Sequence, residues 1–189
     1  SENYWGNVNP IGSRSCYVEG KRCCESIIYD YVKSENLSAS IVRIFNTYGP
    51  NMAINDGRVV SNFIVNALLN KDITIYGDGK QTRSFCYIDD MINFFDKLLI
   101  YKILGPINAG STNEISILEL AQIIINKTNS TSNIIFNNLP EDDPIRRKPN
   151  IDRAINKMLW KPNIDLSFGI TETIDYFKRV MSESNTAKD

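Results

Sequence analysis

The chain has 189 residues, enough for one domain of ordinary size or two small ones and for a sizeable core that needs no disulfide staples. With 21 Lys+Arg against 22 Asp+Glu the net charge is −1, and 42% apolar with 23% charged residues is a globular balance, which argues against a disordered tail and against nucleic acid as a partner. There is no histidine, which excludes Ser-His-Asp and Cys-His hydrolysis and His-ligated zinc or iron and leaves the chemistry to Tyr, Lys, carboxylates, Cys, Arg or a cofactor.

The opening residues, 1 to about 14, carry Gly6, Pro10 and Gly12 and read as a loop. A helix is expected over 17–34, with Cys24, Ile27, Ile28, Tyr31 and Val32 on one face. Residues 38–45 are β-branched and apolar and read as a buried strand; 46–57, with Gly49-Pro50 and Asp56-Gly57, read as a loop. A helix over 58–69 and a short strand over 73–76 follow. Gly77-Asp78-Gly79 then turns the chain toward a strand over 82–88, so the two strands form a hairpin or cross. Asp89-Asp90 opens a helix to about residue 101, acidic residues suiting its positive end. Beyond it come a strand near Ile107, a helix over 117–127, a strand over 133–136, a polar loop over 138–149, a short helix, and a last helix over 167–181. Strands alternating with helices imply an α/β fold with ligands at the carboxyl ends of strands, here the loops after Phe45, Tyr76 and Tyr87.

Cys16, Cys23, Cys24 and Cys86 lack C-x-x-C spacing and are read as four small buried thiols, with neither a disulfide framework nor a metal site. No apolar run reaches the length of a membrane span, and the first residues lack signal-peptide character. The ten glycines form no G-x-G-x-x-G or G-x-x-G-x-x-G, so a phosphate-cradling turn is missing.

Tyr17 and Lys21 lie four apart at the start of a helix and project from one face. A neighbouring ammonium favours the phenolate, giving a base that needs no histidine. Tyr29 with Lys33 and Tyr76 with Lys80 share the spacing, but the last pair spans a glycine turn, and Tyr29 sits about 120° around the helix from Tyr17.

Tyr4-Trp5-Gly6-x-Val8-Asn9-Pro10-Ile11-Gly12 leading into Tyr17-x-Glu19-Gly20-Lys21-Arg22 resembles the catalytic-helix entry of the UDP-glucuronic acid decarboxylases, extended short-chain dehydrogenase/reductases that make UDP-xylose. The resemblance continues through Arg43-Ile44-Phe45-Asn46-Thr47-Tyr48-Gly49-Pro50, Asp56-Gly57-Arg58-Val59-Val60-Ser61-Asn62-Phe63 and Tyr76-Gly77-Asp78-Gly79-x-Gln81-Thr82-Arg83-Ser84-Phe85. Asp142-Asp143-Pro144-x-x-Arg147-x-Pro149 and Leu159-Trp160-x-Pro162 complete it, so that it spans about residues 3 to 180. Sugar-nucleotide dehydratases and epimerases share weaker forms of these motifs.

The resemblance implies the carboxy-terminal part of a Rossmann-like fold with a small mixed α/β substrate-binding domain. Residues 1–57 would be the remainder of the NAD-binding domain and 58–189 mainly the UDP-sugar domain, with about 82–110 returning to the Rossmann part. It implies that NAD oxidises C4 of UDP-glucuronate, the β-keto acid loses CO₂, and the 4-keto pentose is reduced. Tyr17 and Lys21 would be catalytic; with Thr47 and the Tyr48-Gly49 backbone they would also meet the cofactor. Asn46, Arg58, Thr74, Tyr76, Gln81, Arg83 and Arg147 would line the UDP-sugar site. Taken alone, Arg58 reads as a solvated first-turn residue, Tyr76 as strand packing, Gly77 and Gly79 as a plain turn, and Arg146-Arg147-Lys148 as a solvated charge run. Val18, Asn51 and Asn150 stand where the family usually has Asp, Arg and Asp.

The resemblance also implies a homodimer through the helix face bearing Ile27, Ile28 and Tyr31, and an NAD loop, a Ser/Thr partner of the Tyr and a catalytic Glu upstream of Ser1; it leaves the compartment open between the cytosol and, given an upstream anchor, the Golgi lumen, and the unpaired cysteines favour the cytosol. These residues alone are therefore expected to bind NAD poorly and to be inactive. A nucleotide-sugar 4,6-dehydratase, a 4-epimerase, or a non-catalytic UDP-sugar-binding or interaction module are the alternatives.

Overall fold

The computed structural model describes residues 1–186, with side chains to residue 183. In chain order the elements are α1 (Ser15–Ser34), β1 (Ser40–Ile44), β2 (Thr47–Tyr48), α2 (Val59–Leu68), β3 (Ile73–Tyr76), β4 (Thr82–Ser84), β5 (Cys86–Tyr87), α3 (Ile88–Tyr101), β6 (Gly105–Ala109), β7 (Glu114–Ser116), α4 (Ile117–Thr128), β8 (Ile134–Asn137), β9 (Arg146–Arg147), α5 (Asp152–Met158) and α6 (Leu166–Thr186). The fold is the expected α/β class. β1 pairs in parallel with β6, β2 with β5, and β3 with β8, while β4 lies between antiparallel β7 and parallel β9. No helix among the described residues is long and apolar enough to cross a membrane.

The helices expected from periodicity are present. The hairpin is not: β3 and β4 belong to different sheets, so the Gly77–Gly79 turn is a crossing. The expected strand over 82–88 is divided into β4 and β5, with its last residue opening α3, because Phe85 enters the core while Cys86 switches partners and donates its N–H to Asn46 O at 2.8 Å. β2, β7 and β9 are absent from the expected set; two or three residues long, they exist through distant partners such as Arg147 opposite Arg83.

Two apolar clusters hold these elements. In one, Phe63 and Ile64 of α2, Leu120 and Ile124 of α4, and Ile170 and Phe177 of α6 close over Ile73 and Ile75 of β3. In the other, Phe94 and Leu98 of α3, Met158 of α5 and Trp160 pack on Ile107 and Ala109 of β6. Asp90 joins the two regions: its buried carboxylate accepts N–H bonds from Asn163 at 3.0 Å and Ile164 at 2.9 Å, and its carbonyl accepts from Trp160 Nε1 at 3.2 Å. Charge-assisted bonds of this kind set the path into α6.

Helix α1 is built differently. No residue of it is buried, and Arg14 at its N-cap makes no capping bond through its side chain. Cys16, Cys23 and Cys24 are exposed on it, and Cys86 alone among the four cysteines lies in a core, where burial pushes its thiol up to about 12. The expectation of four buried thiols fails because the apolar stripe of α1 meets no core. Polar ties hold the helix instead. Arg43 of β1 grips Glu25 through two bonds of 2.8 and 2.7 Å and donates to Glu2 O at 2.9 Å, and Arg22 reaches Trp5 O at 2.9 Å.

The two environments predict opposite outcomes for one substitution. A Cβ at Gly169 of α6 would lie 2.2 Å from the Tyr48 hydroxyl oxygen and 2.7 Å from a Tyr87 ring carbon, whereas one at Gly20 of α1 meets nothing within 4 Å. Thermal unfolding followed by circular dichroism should show Gly169→Ala destabilised by about 1–3 kcal/mol and Gly20→Ala stabilised by about 0.5–1 kcal/mol.

Candidate functional site

Tyr17 and Lys21 occupy the first two turns of α1, one turn apart, with Lys21 Nζ 5.7 Å from the centroid of the Tyr17 ring. Tyr17 is 66% exposed and Lys21 is exposed, so hydroxyl and ammonium both face solvent. Tyr29 is equally exposed; exposure therefore does not separate the two tyrosines, and position at the entry of the helix does.

Asn46, Thr47, Tyr48 and Gly49 follow β1 at its carboxyl end. Here the side chains contribute little to an open site. Thr47 Oγ1 donates to Phe45 O at 3.0 Å, and Tyr48 is 1% exposed, its hydroxyl donating to Leu166 O at 3.4 Å. Burial raises the Tyr48 phenol far above its ordinary range. A Cβ at Gly49 would lie 2.4 Å from Ile88 Cγ2, so this glycine serves close packing against the start of α3.

The other residues lie on the substrate side of the expected division. Thr74 and Tyr76 point out of β3 on one face while Ile73 and Ile75 point inward, and Tyr76 is 50% exposed. Beside Tyr76, at the carboxyl ends of β3 and β8, a cleft of about 510 Å³ is lined by Gly77, Asp78, Phe136, Asn137, Asn138 and Leu139. Gly77 and Gly79 both have φ of +76°, and Gln81 Nε2 donates to Tyr76 O, so Gln81 braces this turn from within. The crossing needs glycine here: a Cβ at Gly79 would also sit 3.0 Å from Leu118 Cβ.

Arg58, Arg83 and Arg146 each have a carboxylate close by. Arg58, the N-cap of α2, donates from Nε and Nη2 to Asp56, holding that carboxyl below the usual carboxylate range. Arg83 is 9% exposed; Nη2 donates to Asp143 at 2.9 Å and Nη1 to Thr82 O at 2.9 Å, and burial pulls its guanidinium below its ordinary value. Arg146 is exposed, as a solvated charge run implies, and also grips Glu114 through bonds of 2.7 and 2.6 Å, with Lys148 3.3 Å from the same carboxylate. Arg147, opposite Arg83 in the register, is half-buried and accepts the Ser84 hydroxyl on its carbonyl at 3.3 Å. Asn51 and Asn150 suit their places without the family's charges. Asn51 adopts a left-handed φ of +70°, and Asn150 accepts the Asp152 N–H at 2.9 Å at the start of α5.

The structure places the predicted residues in separate groups: Tyr17 with Lys21 on α1, the turn 46–49 after β1, and Arg83 opposite Arg147 in the sheet of β4 and β9, while Thr74 and Tyr76 stand on β3 in another sheet and Arg58 caps α2. Sequence reasoning missed Arg14 and Asp143, which link the first group to the third. Asp143 was visible within a motif, but its partner Arg83 lies 60 residues away.

The model of the NAD dependent epimerase/dehydratase family matches residues 5–109, and the chain belongs to that family. It is 46% identical over 179 residues to UDP-glucuronic acid decarboxylase 1 of Xenopus tropicalis, covering 95% of this chain and 42% of the relative. It is 46% identical over 183 residues to UDP-glucuronic acid decarboxylase 2 of Arabidopsis thaliana, covering 96% and 41%. The chain therefore spans less than half the length of these relatives. Among solved structures, UDP-glucuronic acid 4-epimerase from Bacillus cereus in complex with UDP-glucuronic acid and NAD superposes with a TM-score of 0.83 at 26% identity, covering 95% of this chain and 60% of that one. Pal from Bacillus thuringiensis gives 0.82 at 31% identity, covering 93% and 57%.

Glu114 supplies a pH test of the sheet that carries Arg83 and Arg147. Arg146, with Thr82 and Lys148, holds its carboxyl down to about 2. A depressed folded-state value means the stabilisation is complete above the unfolded carboxylate range and is lost as pH falls toward about 2. The melting-temperature gap between wild type and Glu114→Gln should be constant above about pH 5.5 and close progressively below about pH 4.5.

Proposed function

We propose that these residues form the substrate side and the catalytic helix of an NAD-dependent UDP-glucuronate decarboxylase, a carboxy-lyase that yields UDP-xylose. The observation that carries this reading is the 46% identity over 95% of the chain to a protein named as that enzyme, with the Tyr17–Lys21 pair displayed at the helix entry. NAD, when bound, supplies the acceptor and later the donor of hydride at sugar C4.

The residues present fit one end of that cofactor. The exposed Lys21 ammonium has three donors for ribose hydroxyls, and the exposed Tyr17 hydroxyl lies beside it. The diphosphate end would be held by residues outside these 189, since no glycine-rich loop occurs among them. Tyr17 takes the proton from the C4 hydroxyl and later returns it. Loss of CO₂ is eased at that point because the C5 electron pair flows toward the C4 carbonyl. Tyr76 and Thr74 offer a face beside the cleft for the base, Asn46 lies at the sheet end for the sugar, and Arg58, Arg83 and Arg147 provide the charge for the diphosphate.

In this reading 1–57 completes a nucleotide-binding domain, 58–189 is mainly the sugar-nucleotide domain, and about 82–110 returns to the first. Ile27 and Tyr31, both exposed on α1, would form a homodimer face.

Calorimetry tests the assignment. UDP-glucuronate should bind this chain at least about tenfold tighter than dTDP-glucose, and Tyr76→Ala should cost about tenfold in UDP affinity while Tyr17→Phe leaves it within about twofold. NAD should give no saturable heat and UDP-glucuronate with NAD no UDP-xylose. Equal binding of dTDP-glucose would favour a dehydratase, and UDP-xylose formation would overturn the division of labour.

A further inference from the structure

We infer that Asp143 is a positioning residue that registers the helix carrying Tyr17 against the buried arginine of the substrate side. The inference deepens the function proposed above and rests on its assignment of Tyr17 and Arg83.

With no buried residue, α1 is placed by polar ties. The Arg43–Glu25 clamp acts near its middle, and the tie at its entry is different. Arg14, one residue before the helix and three before Tyr17, donates from Nη1 to Asp143 Oδ1 at 3.2 Å. The other oxygen of the same carboxylate accepts from Arg83 Nη2 at 2.9 Å. One side chain thus spans the catalytic-helix entry and β4. Adjacent contacts make the junction specific. Asn9 Nδ2 donates to Asp142 at 3.2 Å, Ser13 Oγ to Glu141 O at 3.4 Å, and Gly12 passes so close to Asp142 that a Cβ would come within 1.9 Å of its carboxylate.

The two ends of the bridge differ. Arg83 is enclosed, its Nη1 engaged with Thr82 O of its own strand, which restricts how far it can follow Asp143. Arg14 is 44% exposed in its side chain and is freer to follow. A diphosphate reaching Arg83 competes with the Asp143 carboxylate for the same N–H groups. Its arrival therefore alters the pull of Asp143 on Arg14, and through it the start of the helix that presents Tyr17. Asp143 touches no reacting atom in this scheme; it transmits occupancy at the arginine to the base.

A nuclear magnetic resonance titration of this 189-residue chain with UDP reads that transmission. In wild type, amides of residues 15–21 should shift on UDP addition together with those around Arg83. In Asp143→Asn, UDP affinity should remain within about fivefold while the shifts at 15–21 vanish, and Arg14→Gln should reproduce that uncoupling. Loss of fold in either variant would show as collapse of the α2 and α4 resonances, and a mutant cycle with Asp143→Glu then serves in its place. Persistence of the shifts at 15–21 in Asp143→Asn would overturn the inference. Should wild type not bind UDP, the assignment of the nucleotide site fails. The bridge is then read without ligand from amide exchange of residues 15–20, where Arg14→Gln and Asp143→Asn should be non-additive and additivity would overturn it.

Discussion

The Arg43–Glu25 clamp carries more of this structure than its size suggests. It joins the middle of a 20-residue helix to the strand beside it through two parallel bonds, and the helix contributes nothing to either apolar cluster. A planar guanidinium fork fixes orientation as well as distance, so the face on which Tyr17 and Lys21 stand is set by this pair and by the contacts at the helix entry. The rest of the molecule obeys a different rule. α2, α4 and α6 are fixed by Ile, Leu and Phe buried to the limit, and no single polar contact decides their place. Under the proposed function, chemistry would sit on a polar-tied helix and recognition on a packed body.

Charge on the body follows a consistent plan. Asp56 faces Arg58, Asp143 faces Arg83, and Glu114 faces Arg146. Each carboxylate holds its guanidinium in a defined direction and lowers the cost of its enclosure, which is greatest for Arg83. Under the proposed function, a diphosphate at Arg83 would exchange partners with a carboxylate already in place. Affinity is then a difference between two charge-assisted networks, and the displaced carboxylate is free to report the exchange elsewhere.

Much of this was legible in the sequence, and the parts that were not share a cause. The helices over 59–68, 88–101 and 117–128 announce themselves by period and, in the second, by Asp89-Asp90 at its start. Tyr17 and Lys21 stand out by spacing together with their place at the start of the helix and the family resemblance, because Tyr29 with Lys33 and Tyr76 with Lys80 share the spacing. The turn at Gly77–Gly79 was recognised, but not that it sends its strands to different sheets, since pairing of β3 with β8 and of β4 with β7 and β9 depends on residues far along the chain. The period of α1 shows an apolar face, which the resemblance assigns to a homodimer, but is silent on what covers it, and so the expectation of buried thiols fails at Cys16, Cys23 and Cys24. Asp143 lay in a quoted motif without a role, because a bridging carboxylate is defined by two partners 129 and 60 residues away.

The central claim is that polar contacts, not packing, hold the helix that bears Tyr17. Native-state amide exchange of this chain at low and high salt tests it most directly. Raising NaCl from about 0.05 to about 1 M should speed exchange in α1 by about tenfold or more and leave α2 and α4 unchanged, because screening weakens exposed ion pairs and spares buried apolar contacts. Protection of α1 equal to that of α4 and independent of salt would contradict the account.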